Sequence, residues 1–342
     1  MKVLVTGGAG FIGQHVVSEL LACGYAVRVM DSWRADVHVV GAWSRPASVE
    51  IIKADMREAR ALDQALEGVE AVIHLAAKVG LGVDVQDLPD YASSNDVGTA
   101  ELLAGMARAN VKRLTLASSM VVYGEGLGKC REHGATTPGP RTDAALCAGQ
   151  FEPPCPRCGV PLETTLVIED TPFDPRNAYA SSKVAQEFYA SNWARVTGGS
   201  VAAMRYHNVY GLGMPRDTPY AGVAAIFTSA LRRGEAPRVF EDGGQRRDFV
   251  HVRDVAAATV LACQKHASGV RAFNVGSGTP RTVGDMARAL AMALNGPAPI
   301  VTGQYRLGDV RHITADSTRL KRELDWMPRV DFEDGVTELA AS

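Results

Sequence analysis

The sequence predicts an α/β protein built on a doubly wound parallel sheet, and three observations carry that expectation. Short β-branched runs alternate with amphipathic stretches through the first half, from KVLVT and IGQHVVSELLACG to EAVIHLAA, TAELLAGMARAN and VKRLTLASS. Strand–helix–strand repetition of this kind buries a parallel sheet between two helical layers. A glycine triplet, Gly7-x-x-Gly10-x-x-Gly13, follows the first strand and opens the first helix. There the backbone has to turn sharply, approach a ligand closely and pack the helix on the strand, which leaves room for glycine alone. The second strand, VRVMD, ends on Asp31, at the distance from the glycines where such folds place the acid that accepts hydrogen bonds from an adenosine ribose.

Size and charge set bounds on this Rossmann-type arrangement. A chain of 342 residues suits one large α/β unit with a smaller lobe. Its 46% apolar content excludes disorder of the whole chain. With 36 Lys and Arg against 38 Asp and Glu, the net charge of -2 provides no overall positive field for a nucleic-acid backbone, so no nucleic-acid partner is expected. No apolar stretch approaches the ~20 residues that span a bilayer, and the first residues read as a strand with no leader pattern. The expectation is a cytoplasmic protein without a membrane partner.

Taken in order, the strands KVLVT, YAVRVMD, EIIKADM, EAVIHLAA and VKRLTLASS form the first five-stranded run, each followed by helical periodicity or a short connection. Residues 125–171 break the pattern with Gly, Pro, Cys, Thr and charged residues, far beyond the ~2–6 residues of an ordinary connection, and read as an insertion. A helix over 179–197, the strand SVAAMRY, a helix near 224–233 and the pair DFVHV and VAAATVLACQK follow. The expected division is a dinucleotide-binding domain over 1–206 and a substrate lobe over 207–342, with 239–265 returning to the first domain. The stretch after Ala272 reads as part of the lobe and not as a sheet extension.

The acid at Asp31 repels a 2′-phosphate and favours NAD over NADP, although Arg34 is close enough in sequence to pair with such a phosphate. Asp55 either bonds the adenine edge or caps a helix. Tyr179-Ala-Ser-Ser-Lys183 sets a phenol and an ammonium one helical turn apart on one face. A phenol of ordinary pKa ~10 needs positive charge beside it to act as a base near neutrality, and Lys183 supplies one. Ser118 and Ser119 end a strand at the carboxyl edge of the sheet, where such folds bind ligands or where the hydroxyls merely cap the strand.

Together the glycine loop, HLAA at 74–77, Asn95 before Val-Gly-Thr, SSMVVYG, Tyr-x-x-x-Lys, RYHNVYG, GGQRRDFVHVRDV, RLGDVR and LDWMP resemble the extended short-chain dehydrogenase/reductase family, in particular its nucleotide-sugar epimerases and dehydratases. The resemblance implies that Tyr179 is the acid/base, that Lys183 orients the ribose and lowers the tyrosine pKa, and that Ser119 assists Tyr179. It implies NAD contacts at Gly7, Gly10, Phe11, Ile12, Gly13, Asp31, Asp55, Met56, Leu75, Ala76, Ala77, Lys78, Asn95 and Tyr206. It places nucleotide-diphosphate sugar contacts at Asn208, Val239, Arg247, Arg306 and Asp309; a salt bridge of Arg247 to Asp248 or Asp254 stands beside that reading. Dehydratases of the family resemble one another in an acidic pair where this chain has Met120-Val121, and apolar side chains cannot shuttle those protons. A 4-epimerase is expected, by resemblance one acting on dTDP-L-rhamnose, with UDP-glucose or UDP-glucuronate as alternatives. Related enzymes imply a homodimer through 100–109 and 184–193, although those faces would equally suit burial against the sheet.

Six cysteines are too few to staple this chain, and four crowd into the insertion. Cys130-x-x-His133 and Cys155-x-x-Cys158 have the spacing that aims paired ligands at one ion, and three thiolates with one imidazole favour tetrahedral zinc in a closed, structural site. Cys147 is a spare ligand able to replace His133, and incidental thiols on a reduced surface loop are the alternative. His74, His207 and His251 sit in or beside apolar strands and read as core or supporting residues.

Overall fold

A computed structural model describes residues 1–34, 43, 46–80, 85–215, 222–265 and 269–342. Its centre is one seven-stranded sheet formed by β1 (Lys2–Thr6), β2 (Ala26–Asp31), β3 (Glu50–Lys53), β4 (Ala71–His74), β5 (Arg113–Ser119), β6 (Ser200–Tyr206) and β7 (Gly269–Val275). The strands run parallel in the order β7-β6-β5-β4-β1-β2-β3. Strand order reverses between β1 and β4, which opens a crevice beyond their carboxyl ends, the position at which doubly wound sheets bind ligands.

The two-residue period of the strands splits the core into two layers. Val3, Val5, Val29 and Ile73 face α1 (Phe11–Ala22). Leu4, Met30, Val72, Leu114 and Leu116 face the opposite layer, with α2 (Ala59–Leu66), α3 (Gly98–Arg108) and α4 (Ala178–Thr197). Leu4 and Leu116 are fully buried, so truncating either to alanine costs about 2–5 kcal/mol. Gly13 lets α1 sit against the first loop, since a Cβ there would lie 2.2 Å from the Gly7 carbonyl oxygen. Leu102, Leu103 and Met106 of α3 and Ala190, Trp193 and Ala194 of α4 belong to this core, so most of the apolar faces expected at a dimer contact are spent on the sheet.

The lobe contains α5 (Val223–Arg232), α7 (Val283–Ala293) and α8 (Phe332–Ala341), packed around Phe227, Leu231, Phe249, Met286 and Leu290. Between them in sequence, α6 (Val252–Lys265) packs on the sheet through Ala256, Val260 and Cys263. The return of the chain to the sheet differs from the sequence expectation at both ends. Arg238–Val239 pairs with Ile300–Val301 inside the lobe, whereas Gly269–Val275, read as lobe, is the seventh strand of the sheet. The run GVRAFNV carries polar residues because Arg271 pairs with Glu323 outside the sheet and the buried Asn274 bonds Tyr123 and Val167, which hid its strand character.

The insertion has its own three-stranded sheet, Gly128–Cys130 between Gly134–Thr136 and Glu163–Thr164, and a short helix Asp143–Cys147. Among the described residues no helix is long and apolar enough to cross a membrane.

Candidate active site

A cavity of about 430 Å³ opens at the carboxyl ends of β1, β4, β5 and β6. Its floor is the glycine loop. Gly7 has φ +70°, and a Cβ there would come within 2.7 Å of the Ala76 backbone, so the loop and the strand after β4 close on each other without side chains between them. Gly10 precedes α1 and gives it no side-chain cap, which leaves the first N–H groups of the helix open to an anion. Asp31 ends β2 with its carboxylate accepting from Ala9 N–H (3.1 Å) and Trp33 N–H (3.0 Å). These features fit the pyrophosphate and ribose of a dinucleotide.

The structure brings Phe11, Ile12, Asp31, Asp55, Met56, Leu75, Ala76, Ala77, Lys78, Tyr206 and Asn208 to the wall of this cavity, together with Ser119, Tyr179 and Lys183. Asp55 caps no helix: it pairs with Arg57 at 2.6 Å, which holds its carboxyl below the usual range. The Lys78 ammonium turns away to Asp90 (2.5 Å), leaving its backbone at the cavity. Asn95 differs from expectation. It is fully buried and clamps the backbone, accepting from Lys78 N–H (2.7 Å) and donating to Lys78 O (2.9 Å) and Ser182 Oγ (2.9 Å). The segment 216–221 of the loop after RYHNVYG lies outside the described residues.

Asn177 caps α4 by accepting from Ala180 N–H (2.8 Å), so Tyr179 and Lys183 fall in the first turns, facing the end of β5. Ser118 and Ser119 then divide their work. Ser118 Oγ donates to Glu187 Oε1 (2.5 Å), within a buried network in which Glu187 also pairs with Arg205 at 2.7 Å. Ser119 remains at the cavity, where its hydroxyl accepts from Val121 N–H at 3.4 Å and helps lower the pKa of the nearby Tyr179 phenol. The Lys183 ammonium, 5.8 Å from the Tyr179 ring centre, donates to Ala117 O (2.9 Å).

Electrostatics correct one expectation. Burial pushes the Tyr179 phenol up to about 12; the Ser119 hydrogen bond opposes this and Tyr91 adds to it, with ring centres 6.2 Å apart. Burial also pulls Lys183 down to about 8, against the charges of Glu187 and Asp96. The protein alone therefore holds a protonated tyrosine, because desolvation outweighs the stabilisation that Ser119 offers the phenolate. Tyr91 and Tyr210 were missed by sequence reasoning, although Tyr210 lies in a motif, RYHNVYG, that marked the region, and His207, read as a core or supporting residue, lines the cavity. His74 bridges Thr6 Oγ1 (2.7 Å) and Thr99 Oγ1 (2.9 Å), His207 and His251 are also buried, and burial lowers the pKa of all three.

The residues expected around the sugar diphosphate do not all converge on the cavity. Asn208 lines it, with its side-chain oxygen buried and unpartnered. Val239 is buried within the lobe. Arg247 binds neither Asp248 nor Asp254; its guanidinium donates to Arg311 O (2.9 Å) and Val310 O (2.7 Å). Arg306 is exposed, 5.3 Å from the Phe240 ring centre, and the carbonyl of Asp309 accepts from Arg141 at 2.6 Å. In the insertion, Cys130, His133, Cys155 and Cys158 present ligand atoms all within 4.8 Å of one another. Cys147 stands apart, its sulfur 2.8 Å from the Tyr305 hydroxyl.

This fold and this constellation define an NAD-binding enzyme of the short-chain dehydrogenase/reductase type. Residues 3–145 and 155–276 match the model of the NAD dependent epimerase/dehydratase family, and the chain belongs to that family. It is 34% identical to a dTDP-L-rhamnose 4-epimerase of Burkholderia thailandensis, over 99% of this chain and 93% of that protein. Two solved structures superpose on nearly all of it. A UDP-glucose 4-epimerase of Thermotoga maritima with UDP-glucose has a TM-score of 0.82 at 28% identity, covering 100% of this chain and 98% of that one. A UDP-glucose 4-epimerase of Thermus thermophilus in complex with NAD has a TM-score of 0.79 at 29% identity, with the same coverage. The chain is an NAD-dependent enzyme of the epimerase class, an isomerase.

Proposed function

We propose that the protein is a nucleotide-sugar 4-epimerase acting on dTDP-L-rhamnose. One observation carries the reaction type: the only carboxylates on the described cavity wall are Asp31 and Asp55, both at the adenosine end, so no described carboxylate joins Ser119, Tyr179 and Lys183. Without an acidic partner beside Tyr179 the site can handle a proton at one sugar hydroxyl but lacks the carboxylate pair that an elimination uses. The 34% identity to the Burkholderia enzyme supports the rhamnose substrate, and the UDP-glucose held by the Thermotoga enzyme makes UDP-glucose the second candidate.

In this mechanism the glycine loop, the α1 N-terminus and Asp31 hold NAD, which when bound supplies the hydride acceptor and a positive charge. Ser119 and Tyr179 hold the sugar 4-hydroxyl, and Tyr179 takes its proton and later returns it. Lys183 contributes the cation that favours the phenolate. The cavity excludes bulk water while the keto-sugar turns over. The reading includes a cytoplasmic location, the division at residue 206, a structural zinc in the Cys130/His133/Cys155/Cys158 quartet, and a homodimer through the outer face of α4, where Phe188 and Tyr189 remain exposed.

The test is incubation of the purified protein with dTDP-L-rhamnose, UDP-glucose and UDP-glucuronate, with chromatographic resolution of the products. Inversion at C4 without net consumption of NAD is expected. Loss of water or net NADH formation would overturn the reading. Tyr179→Phe is expected to abolish turnover and keep NAD binding, which also excludes a non-catalytic NAD sensor.

A further inference from the structure

We infer that the Cys130/His133/Cys155/Cys158 quartet is a zinc-dependent strut for the substrate lobe: the metal holds residues 134–154 across residues 241 and 309–312, so zinc content governs nucleotide-sugar affinity and leaves NAD binding unchanged. The inference rests on the substrate site proposed above.

The geometry fits the ion. Zn–S bonds of ~2.3 Å and Zn–N bonds of ~2.0–2.1 Å in a tetrahedron set the ligand atoms about 3.8 Å apart for S···S and about 3.5 Å apart for S···N. The observed separations are 3.6 Å for Cys130–Cys158, 3.5 Å for Cys130–His133 and 3.6 Å for Cys155–His133. Both ligand pairs sit on tight turns. Gly134, after His133, has φ +70°; Gly159, after Cys158, has φ +74° and its N–H bonds Cys155 O at 2.8 Å. All four cysteines of the insertion and its flanks are free thiols.

The insertion also needs an ion. Its apolar cluster consists of Cys130, Cys155 and Leu162, too little to order a loop of this length. Yet the loop between the two ligand pairs delivers charge to the lobe, buried at Arg141 and exposed at Glu152. Arg141 donates to Glu241 Oε1 (2.8 Å) and to Asp309 O (2.6 Å); Glu152, three residues before Cys155, binds Arg311 at 2.6 Å. Arg311 also pairs with Glu241 at 2.8 Å. Buried ion pairs offset much of their attraction by desolvation, so they do not gather a free loop by themselves. Closing the loop at its base removes that entropy in advance. The segment 309–311 is held by Arg141 at Asp309 O, by Glu125, which accepts from Arg311 N–H at 2.7 Å, and by Arg247, the arginine expected at the sugar diphosphate. Releasing 134–154 removes the Arg141 contact.

The experiment uses the full protein purified without chelators. Elemental analysis is expected to give one zinc per chain. Chelation followed by calorimetry should weaken binding of dTDP and UDP about ten- to hundredfold, the loop-closure scale for about twenty residues, leave NAD affinity unchanged and raise amide exchange over 125–171. Stoichiometric Zn²⁺ should reverse all of this, which separates metal loss from irreversible unfolding. His133→Cys, which keeps four ligands, should retain both zinc and nucleotide affinity. Absence of zinc, or nucleotide affinity indifferent to its removal, overturns the inference. Neither readout requires turnover, so a failure of the epimerase reading would show separately, as zinc-loaded wild type that inverts no sugar.

Discussion

Replacing Lys183 by methionine isolates the charge beside the catalytic phenol. The ammonium lies 5.8 Å from the Tyr179 ring centre in a buried setting. With an effective dielectric of about 20, a unit charge at that distance favours the phenolate by ~3 kcal/mol, about two pKa units. Tyr179 stands at about 12 with Lys183 already beside it, so a working value near neutrality requires a further drop of about five units, which the positive charge of bound NAD has to supply, and removing Lys183 widens that gap by about two. The phenolate is the base, so activity is lost as pH falls through its pKa. Removing the cation raises that pKa and carries the loss to higher pH. Lys183→Met should therefore move the acidic limb of the kcat profile up by about two units and slow epimerisation at neutral pH by about a hundredfold. The substitution also strands the Ala117 carbonyl, at a cost of about 1–3 kcal/mol in stability, so a melting curve has to accompany the kinetics. A limb that stays where it is in a folded variant would refute the assignment of Lys183 as the electrostatic partner of Tyr179.

Gly13→Ala places a methyl 2.2 Å from the Gly7 carbonyl oxygen, and neither backbone segment can yield cheaply; loss of NAD binding with a lowered melting temperature is expected by calorimetry and thermal denaturation. Asp31→Ala leaves the Ala9 and Trp33 N–H groups without their acceptor and removes the ribose partner, and NAD affinity measured by fluorescence titration should fall about ten- to hundredfold. Folding stability should drop on acidification. His74, His207 and His251 are lowered to about 3, 4 and 4, so below the ordinary histidine value the unfolded chain binds protons that the folded one refuses. Asp96, half-buried and raised to about 6, opposes this by taking up a proton in the folded state. The net slope should reach about 3 kcal/mol per pH unit between pH 6 and 5, read from denaturant titrations at each pH.

The sequence made the sheet legible wherever burial on both faces forced apolar runs, as in KVLVT and VKRLTLASS. It concealed β7, whose edge position tolerates Arg271 and whose buried Asn274 is held by Tyr123, Glu169 and Val167. The cofactor half of the cavity was legible because backbone geometry constrains it: glycine is required at Gly7 and Gly13 by contacts of 2.7 and 2.2 Å. The substrate half was less so. Arg247, Arg306 and Asp309 are ordinary charged residues whose partners are set by tertiary packing, and only coordinates could show Arg247 bound to the carbonyls of Val310 and Arg311. The phenol's elevated pKa was equally out of reach, since a sequence shows the lysine four residues away but not the desolvation of the phenol.

Asn95 shows how a residue outside the cavity still sets its geometry. The helix preceding α3 is widened into a π-turn over Ala92–Val97, a costly local arrangement for the weak helix formers Ser93, Ser94, Asn95 and Asp96. The widening carries Asn95 inward, where its amide grips both backbone groups of Lys78 and the Ser182 hydroxyl. Lys78 lies in the segment 75–79 that lines the cofactor side of the cavity, and Ser182 lies beside Lys183 on α4. One amide thus ties the cofactor wall to the helix that carries the acid/base, and it does so with every polar atom satisfied inside the protein. A proton relay that must meet a hydride acceptor within a few tenths of an ångström requires such a tie more than it requires another group at the reaction centre.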